Sequence, residues 1–184
     1  MLLVGATTWF GFQEWNAQRR EAAAWRRVGS CAAADSTSPT VTCVGVTLVD
    51  LTLPRRFAAC AEILNRLPTC TVSVNAEALN SFQAAIAEID TAGLGRHVTE
   101  FQTVNRRRCK SASTGSYIAG CISKHSYGIA VDIRPFADNV RWNSVVAEEP
   151  GLTEIVAIFK RHGFRWGMEF AGNPDPQHFE WIPQ

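Results

Sequence analysis

The chain has 184 residues, 46% hydrophobic and 19% charged, which suits one folded domain with a substantial core and excludes an intrinsically disordered chain. A formal net charge of +1 lacks the basic excess that nucleic-acid binding requires, so no nucleic-acid partner is expected, and the arginine pairs along the chain read as solvated faces. The six cysteines stand at intermediate spacings with no Cys-x-x-Cys pair, which argues for disulfides in an oxidising, extracytoplasmic compartment rather than for a cysteine-built zinc cluster.

Met1 to Phe12 is apolar but shorter than the about 20 residues a membrane span needs, and it lacks the basic flank of a secretion signal. It runs into a stretch that reads as an amphipathic helix carrying Trp15 and Trp25. Two readings compete: the end of a membrane anchor that begins further upstream, which is preferred, and a helix packing its aromatics on the domain. Residues 29–40, small and polar, read as a linker. Residues 1–40 are thus set apart from a domain over 41–184.

Val41 to Leu53 is β-like, rich in Val, Thr and Leu. From Pro54 the spacing turns helical, with Phe57, Cys60, Ala61, Leu64 and Leu67 expected on one buried face and Pro68 ending the run. Asn75 caps a second helix whose Leu79, Phe82, Ile86 and Ile89 recur at three- and four-residue steps, with Gly93 and Gly95 stopping it. Residues 97–106 alternate as a strand. Cys109 to Cys121 reads as a loop pinned at both ends, the simplest pairing of the cysteines being Cys31–Cys43, Cys60–Cys70 and Cys109–Cys121. Ile129 to Ile133 is a strand, Leu152 to Phe159 lie on a third helix that ends at Gly163, and 164–166 and 178–182 are short final strands. Helices first, then strands interleaved with one helix, predict an α+β fold.

Three segments carry chemistry. His125 precedes the strand Ile129 to Ile133, Asp132 lies on it, and His178 opens the final strand. Two imidazoles and a carboxylate can hold Zn²⁺ with a position left open, and Asp175, three residues before His178, is placed to accept a proton. Alternation sends Ala130, Asp132, His178 and Glu180 to the metal side, and Ile129, Val131, Phe179 and Trp181 to the core. A larger residue at Gly128 or Ala130 is expected to crowd the site, and Glu180 is a candidate for orienting an imidazole. His97 and His162 read as structural, the latter at a helix C-terminus where a cation is favoured.

Ser123-x-His125-x-x-Gly128-x-Ala130-x-Asp132, then Gly163-Phe-x-Trp166-Gly167, then Asp175-x-x-His178-Phe179, resembles the D-alanyl-D-alanine carboxypeptidase and L-alanyl-D-glutamate endopeptidase family of zinc peptidases. The resemblance implies a hedgehog/D-Ala-D-Ala peptidase-like fold, a small antiparallel sheet with helices packed on one side. It implies that His125, Asp132 and His178 bind Zn²⁺, that Asp175 is the catalytic acid/base, and that Arg107 and Ser123 contact substrate, with Arg106 and Arg108 too close to exclude. The expected substrate is the stem peptide of bacterial peptidoglycan, cut by a secreted or surface-anchored monomer, most simply as a carboxypeptidase. A zinc-stabilised, non-catalytic cell-wall binding module is the alternative. Met168 departs from the family, which often has a second glycine there, and is expected to narrow the cleft or to alter which peptide fits.

Overall fold

The protein is described here by a computed structural model that covers residues 19–20, 22–35, 38, 40–110, 116–134, 151–171 and 174–183. A short helix α1 (22–28) leads into strand β1 (Ser30–Ala33), which pairs antiparallel with β2 (Val41–Val44). Cys31 lies directly opposite Cys43 and is bonded to it. The stretch read as a linker therefore contains a strand. Its small residues carry little strand propensity of their own, and the pairing comes from the cross-strand bridge and the β2 partner. Residues 1–18, on which the anchor reading rests, lie outside the described residues. Among the described residues no helix is long and apolar enough to cross a membrane.

Strands β3 (Leu48–Thr52) and β4 (Thr71–Asn75) form a second antiparallel pair, connected through helix α2 (Ala58–Leu64), and the Cys60–Cys70 bridge ties α2 to the entry of β4. Phe57, Ala59 and Cys60 are buried, but Leu64 is 37% and Leu67 50% exposed. The expected stripe fails within the helix: Ala61 and Leu64 are exposed on α2, whose buried residues are Ala59 and Cys60, and Leu67 lies past its end. Asn75 does start the next helical segment: its side chain accepts from the Glu77 amide at 3.0 Å, opening a 3₁₀ turn (Ala76–Ala78) that continues into α3 (Leu79–Thr91).

The central sheet has four antiparallel strands in the order β5 (Glu100–Gln102), β8 (Ala130–Arg134), β10 (His178–Trp181) and β9 (Phe164–Trp166). The strand expected over 97–106 is confined to β5, since a 3₁₀ turn occupies Leu94–His97 and 103–106 run on as loop. The Cys109–Cys121 bridge does not close a plain loop: it joins β6 (Arg108–Lys110) to β7 (Tyr117–Ile122) across an antiparallel hairpin.

Helix α4 (Leu152–Arg161) packs against α3 and β9. The core includes an aromatic cluster at this junction. Phe159 stacks on Phe179 at 4.6 Å and meets Phe164 edge-on at 5.0 Å, while Phe82 of α3 meets Phe164 at 4.7 Å. Phe179 anchors β10 from the face opposite His178, so the packing that stabilises the sheet also sets the direction of the functional side chains. His162 ends α4 with its Nε2 2.7 Å from Glu88 of α3, in keeping with a structural role.

Candidate metal centre

Register brings the site together. In the β8–β10 pairing His178 lies opposite Asp132, Phe179 opposite Val131, and Glu180 opposite Ala130. Alternation then turns Asp132 and His178 to one face from adjacent strands, with small Ala130 leaving room beside Glu180. His125 arrives from a 3₁₀ turn (Lys124–Tyr127) that Gly128 closes in the left-handed region, at φ 71°. A side chain at Gly128 would meet Leu48 at 2.7 Å and the Asn75 amide at 2.9 Å. The crowding expected at this glycine therefore falls on the β3–β4 pair and not on the metal side. The close approach has a purpose: the Asn75 amide donates to the Gly128 carbonyl at 2.8 Å, and its side chain donates to the carbonyls of Tyr127 and Val28.

Three buried atoms converge. His125 Nε2 is 3.0 Å from Asp132 Oδ1 and 3.2 Å from His178 Nδ1, and His178 Nδ1 is 2.9 Å from the same Asp132 oxygen. Among the described residues this is the one group of its kind with ligand atoms within 4.8 Å of one another. The other nitrogen of each ring fixes its tautomer. His125 Nδ1 meets the Thr103 carbonyl, which can only accept, so Nδ1 carries the proton and Nε2 the lone pair. His178 Nε2 lies 3.5 Å from Glu180 Oε2, whose partner oxygen is bound by Arg165, so its lone pair is on Nδ1. Two lone pairs and a carboxylate oxygen aimed at one point repel each other unless a cation lies among them. The residues fit a tetrahedral N₂O zinc site, each imidazole braced by an oxygen acceptor as zinc ligands commonly are.

Without a metal, a proton must fill that role. Burial pushes the His178 imidazolium toward losing its proton, but Asp132 and Glu180 outweigh it and raise its pKa to about 9. Burial likewise opposes the charge on Asp132, yet hydrogen bonds from His125 and His178 hold its carboxyl well below the usual carboxylate range.

Asp175 sits on the turn before β10. Its amide donates to the Gly167 carbonyl at 3.0 Å, and its own carbonyl accepts from the His178 amide at 3.1 Å. Burial, then the nearby Asp132 charge, pushes its carboxyl above the ordinary value. Gly167 is indispensable to this turn. A Cβ there would lie 2.3 Å from the Asp175 carbonyl oxygen and 2.9 Å from the His178 Cβ. Gly167→Ala is expected to displace His178 and weaken zinc affinity by roughly 10- to 100-fold, read by chelator competition. Affinity equal to that of the parent protein would show that the turn yields without moving the ligand.

The sequence-predicted substrate contacts are placed as follows. Arg107 Nη2 is 3.7 Å from Asp132 Oδ2, the oxygen turned away from the imidazoles. Arg108 is buried and donates to the Ile118 carbonyl at 3.1 Å, while Arg106 is exposed. Ser123 precedes the 3₁₀ turn, its amide donating to the Arg107 carbonyl at 3.1 Å. Arg107, Arg108 and Ser123, with His125, Asp175, His178 and Glu180, line a groove of about 830 Å³ walled by the β6–β7 hairpin and Phe170. Met168 is 40% exposed and is not among the described residues of this lining, so the expected narrowing does not arise there. Two residues were missed at the level of sequence. Thr103 acts through its backbone carbonyl, which no residue type signals. Ser126 is buried, its hydroxyl accepting from the Arg107 amide and lying 2.9 Å from the Arg107 carbonyl, so it fixes the loop that carries this arginine.

Residues 118–181 match a protein-family model described as D-alanyl-D-alanine carboxypeptidase. The matched segment contains Ser123, His125, Asp132, Asp175 and His178, and Arg107 lies before it. Over 123 aligned residues the chain is 28% identical to the peptidoglycan L-alanyl-D-glutamate endopeptidase CwlK of Bacillus subtilis (strain 168), an alignment covering 61% of this chain and 72% of that protein.

Proposed function

We infer from the chain's membership in the D-alanyl-D-alanine carboxypeptidase family of peptidases that it hydrolyses peptide bonds of the bacterial peptidoglycan stem peptide. The observation that carries this reading is the pair of imidazole lone pairs and the Asp132 carboxylate meeting at one point, in a groove that also holds Asp175. His125, Asp132 and His178 are the residues that would hold Zn²⁺. When bound, the ion supplies Lewis acidity for polarising a carbonyl and for making water a nucleophile near neutral pH. Asp175 takes the proton of the attacking water and returns it to the leaving amine, a role its raised pKa suits. Arg107 offers a planar donor fork to a substrate carboxylate or to the developing oxyanion, and Ser123 lines the path of the peptide. The fold is read as hedgehog/D-Ala-D-Ala peptidase-like.

The three bonded cysteine pairs fit an extracytoplasmic enzyme. All the residues named belong to one chain, so a monomer suffices. Carboxypeptidase action is favoured by Arg107, which suits a free terminal carboxylate. The CwlK similarity favours the second reading, an endopeptidase cutting within the stem. Mass spectrometry of zinc-loaded digests of purified peptidoglycan separates them. Loss of a terminal D-alanine is the expected product change, and cleavage between L-alanine and D-glutamate would assign the endopeptidase. Binding to peptidoglycan with no change in any product mass would overturn the peptidase reading in favour of a zinc-stabilised binding module.

A further inference from the structure

One cation of the groove is held differently from the others. Lys124 lies between Ser123 and His125, so its backbone is fixed by the turn that presents the imidazole. Its ammonium is 4.0 Å from the ring centroid of Trp25 and 5.7 Å from that of Tyr127, two rings that meet nearly edge-on at 6.2 Å. Trp25 is delivered by α1, which is docked firmly: Val28 is fully buried, its carbonyl accepts from Asn75 Nδ2 at 3.0 Å, and Arg27 pairs with Glu77.

Arg165 and Arg108 are held by groups of the protein itself, and Arg107 is already assigned to the reacting end of the substrate. Arg165 is bonded to Glu180, Arg107 approaches Asp132, and Arg108 donates to the Ile118 carbonyl. Among the described residues Lys124 has two ring faces and no carboxylate at ion-pair distance. Ring faces orient an ammonium but interact with it less strongly than a charge-assisted hydrogen bond does. Lys124 also lines the groove, where an anion can meet the ammonium that the rings orient. The Glu180 charge draws the ammonium, but Arg165 opposes that attraction, and the groove also holds Arg107 beside a site that takes a divalent cation, so like charges crowd the lysine. An anionic ligand removes that like-charge cost.

We propose that Lys124, framed by Trp25 and Tyr127, forms a carboxylate-binding subsite, separate from Arg107, for a peptide lying across the metal centre. Helix α1 thereby contributes to the substrate surface. The proposal rests on the stem-peptide reading for the identity of its ligand. A γ-linked D-glutamyl residue leaves its α-carboxylate free, and amidation of that group removes the charge while keeping the shape.

The test uses the zinc-loaded full chain and two probes measured by calorimetry: Ac-L-Ala-γ-D-Glu-L-Lys with its L-Ala–D-Glu link replaced by an uncleavable methylene-amine, and the same molecule as the α-carboxamide. The parent protein is expected to bind the acid about tenfold or more tightly than the amide. Lys124→Met is expected to bring that ratio to about one with amide affinity held within about twofold, and Lys124→Arg to retain the preference. Lys124→Gln serves in place of Met if the apolar variant misfolds. Absence of preference in the parent protein overturns the proposal, as does an equal loss of both affinities in Lys124→Met, which is the mark of a structural fastening. Hydrolysis of peptidoglycan is followed in parallel. Carboxylate preference without hydrolysis keeps the subsite and sinks the peptidase, and hydrolysis without preference does the reverse.

Discussion

Asp175→Asn is expected to lower peptide hydrolysis by about two to four orders of magnitude while the protein still binds one equivalent of zinc. The reasoning is positional. Asp175 lies in the same groove as the metal ligands but is not one of the three converging groups, so its amide analogue keeps the turn and loses only the proton acceptor. The backbone bonds that fix the turn, from the Asp175 amide to Gly167 and from the His178 amide to Asp175, do not involve the carboxylate. The pH profile gives a second readout. Burial and the Asp132 charge raise this carboxyl above its ordinary value, so it takes up a proton at a higher pH than an exposed aspartate does. Turnover that needs the ionised form therefore falls on the acid side through this raised value, and the Asn variant should lose that limb. Stability moves the other way. A carboxyl whose folded pKa is raised contributes stability below its unfolded pKa that is lost as pH rises through the folded one. At neutral pH the charged aspartate is thus a cost in the folded state, and Asp175→Asn should unfold at a temperature no lower than the parent. Full activity in the variant, with its acid limb intact, would remove Asp175 from the chemistry.

The parts of the site that were legible in the sequence are those governed by local periodicity. In 129–133 and 178–181 apolar and polar residues alternate, and that alone assigns Asp132 and His178 to one face and Val131 and Phe179 to the other. What alternation does not supply is register. That His178 lies opposite Asp132, and not opposite Ala130, depends on two strands forty-odd residues apart, with α4 and β9 between them. The arginine triplet shows the same division. Periodicity separates Arg107 from its neighbours, but only the sheet and the hairpin decide which side meets the metal and which meets Ile118. Backbone contributions stay hidden altogether, as with the Thr103 carbonyl that sets the tautomer of His125. The misread segments fail for related reasons. Residues 30–33 look like a linker because Ala and Ser carry no strand signal, whereas the bridge from Cys31 to Cys43 and the partner strand supply the order. Leu64 and Leu67 continue a stripe in the sequence that the short helix, ending at Leu64, does not carry to the core.

Removing a ligand bears most directly on the site. His178→Ala is expected to abolish zinc binding at micromolar metal and hydrolysis with it, because a site left with His125 and Asp132 has two ligands where zinc requires at least three from the protein. Chelation of the parent protein should mimic the variant, and it should also lower the melting temperature. A ligand present at about a thousand times its dissociation constant stabilises a fold by about 4 kcal/mol, and chelation withdraws that contribution. The pH dependence of binding is the sharper test, because it reads the arrangement of the three groups and not merely their presence. In the metal-free protein the His178 imidazole, drawn upward by Asp132 and Glu180 against the effect of burial, holds its proton to about pH 9. A metal ion must displace that proton, since only the neutral ring offers Nδ1 as a ligand. Apparent zinc affinity should therefore rise about tenfold for each pH unit between 6 and 8, where one proton leaves for each ion bound, and level off near pH 9. Glu180→Gln weakens one of the two attractions that hold the proton. It should bring the levelling-off to lower pH while loosening the ring that Glu180 braces. Competition with a chromogenic chelator across that range measures both effects. Affinity independent of pH in the parent protein would mean that His178 is already neutral without metal, and the closely spaced lone pairs would then need another explanation than a proton exchanged for a cation.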